Sequence, residues 1–226
     1  MSDRVSASSL TARYPRGVPS ITRKPSSAPE RRDAVEQRVV DAVERLLGQG
    51  HPYTELSVAT IAEEAGIARS TFYVHFADKT ELLIRLGQAA MADIVAEGRH
   101  WLEAEHSGGV EELTPSIARM IATYRRHEPL FDAVLAGTGY DPLVAAFWRA
   151  HIEQLVAAGT DRLGRARADG LVNPDLDIEP LARTVAWSVE RTISMHVAQR
   201  PPDDDPSVAA ALARALWLMI YGDAPA

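Results

Sequence analysis

Between residues 57 and 79 the chain reads SVATIAEEAGIARSTFYVHFADK, and its chemically distinctive side chains are Arg69, Ser70, Thr71, Tyr73, His75 and Lys79, with Ser57 and Thr60 just ahead. Guanidinium, ammonium, imidazole and hydroxyl groups all donate hydrogen bonds, and from Arg69 onward no carboxylate intervenes before Asp78. Donors of this kind suit phosphate oxygens and the base edges of duplex DNA, where arginine and short polar side chains read the major groove. The expected division of labour is Arg69 and Thr71 at bases, with Ser70, Tyr73, His75 and Lys79 at or near phosphates. Ser57 and Thr60 are expected to add contacts from the element before.

Two short helices must hold these groups. Val58, Ile61, Ala62 and Ala65 recur at helical spacing, and Ile67, Phe72 and Phe76 form a second apolar stripe. Gly66 between them supplies the positive φ that a sharp turn demands. Ala59, Ala62 and Ala65 are small enough for the helices to approach closely, as in a helix-turn-helix. Ser57 is placed to cap the first helix and Asp78 the helix that follows.

The run TIAEEAGIARSTFYVHFADKTELL resembles the DNA-binding segment of the TetR family of bacterial transcriptional regulators. Gly66, Ile67, Phe72, Tyr73, His75, Phe76 and Lys79 in that order carry the resemblance. One departure is Ala68, where the family more often has a capping Ser or Thr; a lost cap costs about 1 kcal/mol, enough to fray a helix but not to abolish it. Further along, VERT before Ile193 and the ending LWLMIYGD are similar to a mycobacterial branch of the same family. The resemblance implies an all-α fold, a helix-turn-helix head on a helical bundle that binds an effector and dimerises.

Charge supports a division of the chain. Of the formal net charge of −7, residues 1–85 contribute +1 and residues 86–226 contribute −8, so only the amino-terminal part approaches a polyanion without strong repulsion. Residues 1–28 are rich in Ser, Arg and Pro without an apolar period. They read as a disordered basic arm, either inert or following the phosphate backbone and minor groove. Residues 29–78 form the expected head, opened by a helix with Val35, Val39, Val43 and Leu46 on one face and closed by Gly48 and Gly50. Residues 79–226 form the expected effector-binding and dimerisation domain, beginning with a long helix from Leu82 to Leu102.

Downstream, helices are separated at Pro129, at residues 137–142, at 170–174 and at 201–206, with Pro115 expected in a first turn. The last two helices, near residues 178–198 and 206–221, carry apolar stripes suited to a dimer seam. A fixed pair of subunits would hold two heads about one DNA turn apart, ~34 Å, over a palindromic operator. In the family those two helices form a four-helix bundle with the partner's.

Trp101, Tyr124, Phe131, Phe147, Trp148, Trp187 and Met195 are candidates to line a pocket for a small hydrophobic effector, each singly also explicable as plain core. Glu190, a carboxylate on an apolar helix, either orients such a ligand or pairs with Arg191 or Arg183. The family encloses an inducer pocket among the corresponding helices.

Other chemistries lack their parts. There is no cysteine, hence no disulfide, thiolate metal site or cysteine nucleophile, a composition that fits a reducing cytoplasm. No run approaches the ~18 apolar residues of a membrane span, and no secretory leader is apparent. His100, Glu103 and His106 lie three apart on a helix end, a weak zinc pattern better read as a solvated surface; no metal and no cofactor are expected. No GxSxG, HExxH or phosphate-binding Gly loop occurs, so enzyme activity is not expected. The remaining alternative is a dimeric DNA-binding regulator without an effector, its body filled and serving only to dimerise.

Overall fold

The computed structural model describes residues 28–103 and 109–222, with side chains placed for 32–97 and 109–222. Residues 1–27 of the expected basic arm therefore lie outside the described residues, and Ala28 opens the first helix. Every regular element among them is helical.

Helix α1 (Ala28–Gly48) buries Val39, Val43, Leu46 and Leu47, and Gly50 at φ 86° turns the chain back. A single 3-10 turn, Tyr53–Glu55, leads to α2 (Val58–Glu64). Ser57 caps α2 as expected, its Oγ accepting from the Thr60 amide at 3.0 Å. Gly66 sits at φ 64°, the left-handed region that a side chain would strain, and α3 (Arg69–His75) follows at once. Ala68 offers no side-chain cap to α3, in keeping with the departure noted in the sequence. Phe72 and Phe76 are fully buried and close the head core with Ile61 and Val43. Losing one such ring costs about 3–5 kcal/mol in a packed core.

Asp78 accepts from the Glu81 amide at 2.8 Å and starts α4 (Lys79–Glu103), which belongs to both halves of the molecule. Its first turns complete the head, while Leu86, Ala90 and Met91 enter the body core. The body adds α5 (Gly109–Arg126), α6 (Glu128–Gly137), α7 (Pro142–Ala168), α8 (Ile178–Gln199) and α9 (Asp205–Tyr221). Helix α5 packs on α4 and α9, and α7 on α8. Pro115 departs from expectation: it is the seventh residue of α5 rather than in its first turn. The helix begins earlier, at Gly109 with φ 66°, and Pro115 faces solvent, where the lost amide bond is least costly.

Head and body touch at more than α4. Helix α1 packs against α6, and the Thr80 hydroxyl donates to Asp141 Oδ2 at 2.5 Å. Asp141 Oδ1 meanwhile accepts from the Leu143 and Val144 amides at 2.9 and 3.4 Å, capping α7. At Gly87 an added Cβ would lie 3.0 Å from Phe147 Cε1 and 3.1 Å from Val134 Cγ2, so glycine allows α4 to lie close against α6 and α7.

Candidate DNA-reading face and effector cavity

Helix α3 turns its aromatic pair inward, which fixes what points out. At about 100° per residue, Val74 lies roughly 200° around the helix from both Phe72 and Phe76. It is accordingly 75% exposed, the centre of the outward face. Ser70 is exposed beside it, Thr71 is half-buried, and Arg69 and Tyr73 are exposed on the flank, Tyr73 at 46%. The Arg69 guanidinium lies 5.8 Å from the centre of the Tyr73 ring and donates to its hydroxyl at 3.4 Å, so the two form one platform. Ser57 and Thr60 are exposed at the start of α2, their hydroxyls 2.8 Å apart. Arg69, Ser70, Thr71 and Tyr73 thus share a presented surface. Val74 completes it, and a helical wheel centred on Phe72 and Phe76 would have found it.

Two expected contacts are placed otherwise. Lys79 does not point outward: its ammonium donates to the carbonyls of Tyr53 at 3.0 Å, Thr54 at 3.3 Å and Leu56. An ammonium has three protons, and all three are committed. The Tyr53 hydroxyl returns the contact by donating to the Lys79 carbonyl at 2.6 Å, clamping the 3-10 turn to α4. Burial pushes the Lys79 pKa below its ordinary value. His75 is turned toward α1, its side chain only 9% exposed and its Nδ1 3.2 Å from Glu36 Oε1. Arg85 reaches the other Glu36 oxygen at 3.3 Å and Glu81 at 2.6 Å, and Glu81 accepts from the Ala77 amide at 2.7 Å. His75 therefore ties α3 to α1 and α4 instead of offering this nitrogen to phosphate.

In the body, α4 to α9 surround a cavity of about 170 Å³ whose wall is mostly aliphatic. Of the residues expected to line it, Tyr124, Phe131, Trp148 and Glu190 do so. Tyr124 and Phe131 stack with centroids 4.4 Å apart. Trp187 and Met195 do not: they are 38% and 43% exposed on the outer side of α8. The inner side of α8 is Ala182, Val185, Val189 and Ile193, and residues two positions off that stripe must face away. Phe147 packs between α4 and α7 against Gly87 instead of facing the cavity. The side chain of Trp101 lies outside those described, as do His100, Glu103 and His106. Met91, Ile94, Met120 and His151 also line the wall; their signal was helical phase, not aromaticity.

Polar groups on this wall are few. Glu190 has a side chain 8% exposed, with neither oxygen in a hydrogen bond. Arg191 Nε stands 3.9 Å away, beyond hydrogen-bond reach, and Arg183 is engaged with Glu153 and Glu179 on the surface. Burial pushes the Glu190 carboxyl above its ordinary value against the opposing charge of Arg191. The Tyr124 hydroxyl is likewise buried without a partner, its pKa raised by burial and by the nearby charges of Asp132 and Glu190. Burial also lowers the pKa of His151. Among the described residues no cluster of three potential metal ligands occurs, and no helix is long and apolar enough to cross a membrane.

A short exposed helix set on a Gly66 turn, joined by one long helix to an all-helical body with an apolar cavity, defines a helix-turn-helix transcriptional regulator. Residues 39–86 match the model of bacterial regulatory proteins, tetR family, and residues 113–222 match that of the C-terminal domain of the transcriptional regulator EthR. The chain belongs to the TetR family, and it is a DNA-binding regulator, not an enzyme. It is 25% identical over 214 residues to the HTH-type transcriptional regulator EthR of Mycolicibacterium smegmatis, covering 94% of this chain and 95% of that one. Among solved structures, a TetR-family regulator from Rhodococcus sp. superposes with a TM-score of 0.64 at 21% identity, covering 83% of this chain and 99% of the other. FadR from Bacillus subtilis, solved in complex with stearoyl-CoA, gives a TM-score of 0.60 at 17% identity over 82% and 98% of the two chains.

Proposed function

We propose that this chain is a homodimeric, cytoplasmic repressor that binds a palindromic operator and leaves it when a small hydrophobic molecule enters the body cavity. The observation that carries this reading is the apolar cavity of about 170 Å³, walled in part by α4, the helix whose first turns complete the head. Residues 29–78 act as the reading head and 79–226 as the effector and dimerisation unit. Arg69 and Thr71 meet bases, Ser70 and Tyr73 meet the backbone, and Ser57 and Thr60 add contacts from α2. The exposed apolar residues Trp187 and Met195 on α8 and Leu218 on α9 support a seam between subunits there. That FadR, which shares this fold, has been solved with stearoyl-CoA supports an apolar effector.

A ligand that prefers one tilt of α4 shifts the spacing of the two heads, and a coupling of about 1–3 kcal/mol changes operator affinity roughly 5- to 150-fold. The test is selection of bound sequences from a random DNA pool, followed by anisotropy titrations of the recovered site with hydrophobic compounds present. Recovery of two-fold symmetric sites released by a cavity ligand is the expected result. Purified protein that selects no symmetric site refutes the operator, and ligands that bind without altering operator affinity leave the rival regulator without an effector.

A further inference from the structure

The cavity carries a feature that a purely apolar effector would leave unanswered. Glu190 and Tyr124 end on its wall with their polar atoms buried and outside hydrogen-bond reach of a partner, Arg191 standing 3.9 Å from Glu190; the Glu190 side chain is 8% exposed and Tyr124 itself 5%. The Tyr124 hydroxyl lies within the field of Glu190 as well as of Asp132 and Glu128, opposed by Arg191. Ser194, one turn from Glu190, donates to the Arg191 carbonyl at 3.3 Å and stands close enough to Glu190 to oppose the effect of burial on its carboxyl only in part. A buried polar group without a partner is destabilising, and a buried charge more so, so a ligand that pairs them gains what the empty protein forgoes.

An ionised carboxylate only accepts, and a phenol oxygen can accept as well. The missing element is a donor, and the surplus of acids around it favours a positive one. Resting on the effector-binding reading above, we propose that the cavity selects molecules with a protonated amine on an apolar body, the ammonium donating to Glu190 and Tyr124. Anionic heads such as free carboxylates are excluded by the same charges. The remaining wall, Ile117, Phe131, Ile152 and Val189 among others, takes the apolar body. Its volume of about 170 Å³ admits a single aromatic ring, since an engineered cavity of ~150 Å³ takes up benzene.

The test uses the full chain and three matched probes: phenethylamine, phenethyl alcohol and hydrocinnamate, measured by calorimetry at neutral pH. The amine is expected to bind about tenfold or more tightly than the alcohol, as a charge-assisted hydrogen bond provides, and hydrocinnamate weakest of all. In Glu190→Gln the amine falls to the affinity of the alcohol, while operator binding without ligand stays that of the parent and reports an intact fold. Glu190→Met serves the same purpose should the glutamine variant not fold. An amine no better than the alcohol, or a preference that survives both substitutions, overturns the proposal while leaving the effector cavity standing. If none of the three binds at millimolar concentration, the cavity reading itself fails, and this inference with it.

Discussion

Replacing Glu36 by alanine separates positioning of the reading helix from contact with DNA. Glu36 accepts from Arg32 at 2.9 Å, His75 at 3.2 Å and Arg85 at 3.3 Å, drawing α1, α3 and α4 together behind the presented face. The arginines are 58% and 37% exposed, so each pair contributes about 0.3 kcal/mol. The His75 bond is different because its ring is nearly buried; losing it, with the imidazole left unpaired, costs about 1–2 kcal/mol. The variant should therefore be less stable by about 2 kcal/mol. Urea unfolding is best followed by far-UV circular dichroism, since all four tryptophans lie outside the head.

Operator affinity should fall severalfold, while the slope of log K against log salt stays that of the parent, because no phosphate contact is lost. Arg69→Ala is the contrasting control, since it should relax preference at one base position, which Glu36→Ala leaves unchanged. The pH dependence has a definite sign. Burial raises the Glu36 carboxyl, but hydrogen bonds from Arg32 and His75 and the charge of Arg85 outweigh it and hold the carboxyl below 4.5. A depressed folded value means stability present above 4.5 and lost as pH falls through the lower folded value. The gap between parent and variant should close in acid. A stability change under ~0.5 kcal/mol, or an altered salt slope, would refute the reasoning.

Three further outcomes are expected. Asp205→Asn should destabilise by about 2–3 kcal/mol in thermal or urea unfolding, since the carboxylate takes Arg125 at 2.7 and 2.8 Å and the buried His196 at 2.7 Å, joining α5, α8 and α9; its pKa is held down chiefly by Arg125, so the loss appears above the usual carboxylate range and fades as pH falls. Glu190→Gln should stabilise the protein by about 1 kcal/mol at neutral pH, and because burial raises the folded value, the gain should shrink as acid protonates the parent; equal melting temperatures at pH 7 would contradict this. Val74, at the centre of the outward face of α3, is expected to meet a thymine methyl, so Val74→Ser should relax preference at one thymine by about 1 kcal/mol; an unchanged consensus in a repeated DNA selection would refute that contact.

Much of the architecture was legible because single residues dictate backbone. Gly66 must turn where only glycine turns easily, Ser57 must cap where the apolar stripe begins, and the prolines at 201 to 206 must part the last two helices, whose limits fall within a residue of expectation. The misplaced residues share a cause. Trp187 and Met195 were expected inside because they are large and apolar, yet the stripe of Leu181, Val185, Val189 and Ile193 on the same helix already pointed elsewhere. Lys79 was expected on phosphate because backbone carbonyls of a 3-10 turn leave no mark in the sequence. His75 was expected outward because its partner, Glu36, is thirty-nine positions away. Pairings at that range are set by packing and have no local signature.

The carboxylate of Asp141 answers to two masters. One oxygen secures the first turn of α7, two turns ahead of Trp148 in the cavity wall; the other grips Thr80 at the root of the arm bearing the head. A single carboxylate thus ties the start of a cavity-wall helix to the start of the helix that bears the head. In the release mechanism proposed above, this residue is a knuckle at which strain from an occupied chamber would reach the helix that carries the head.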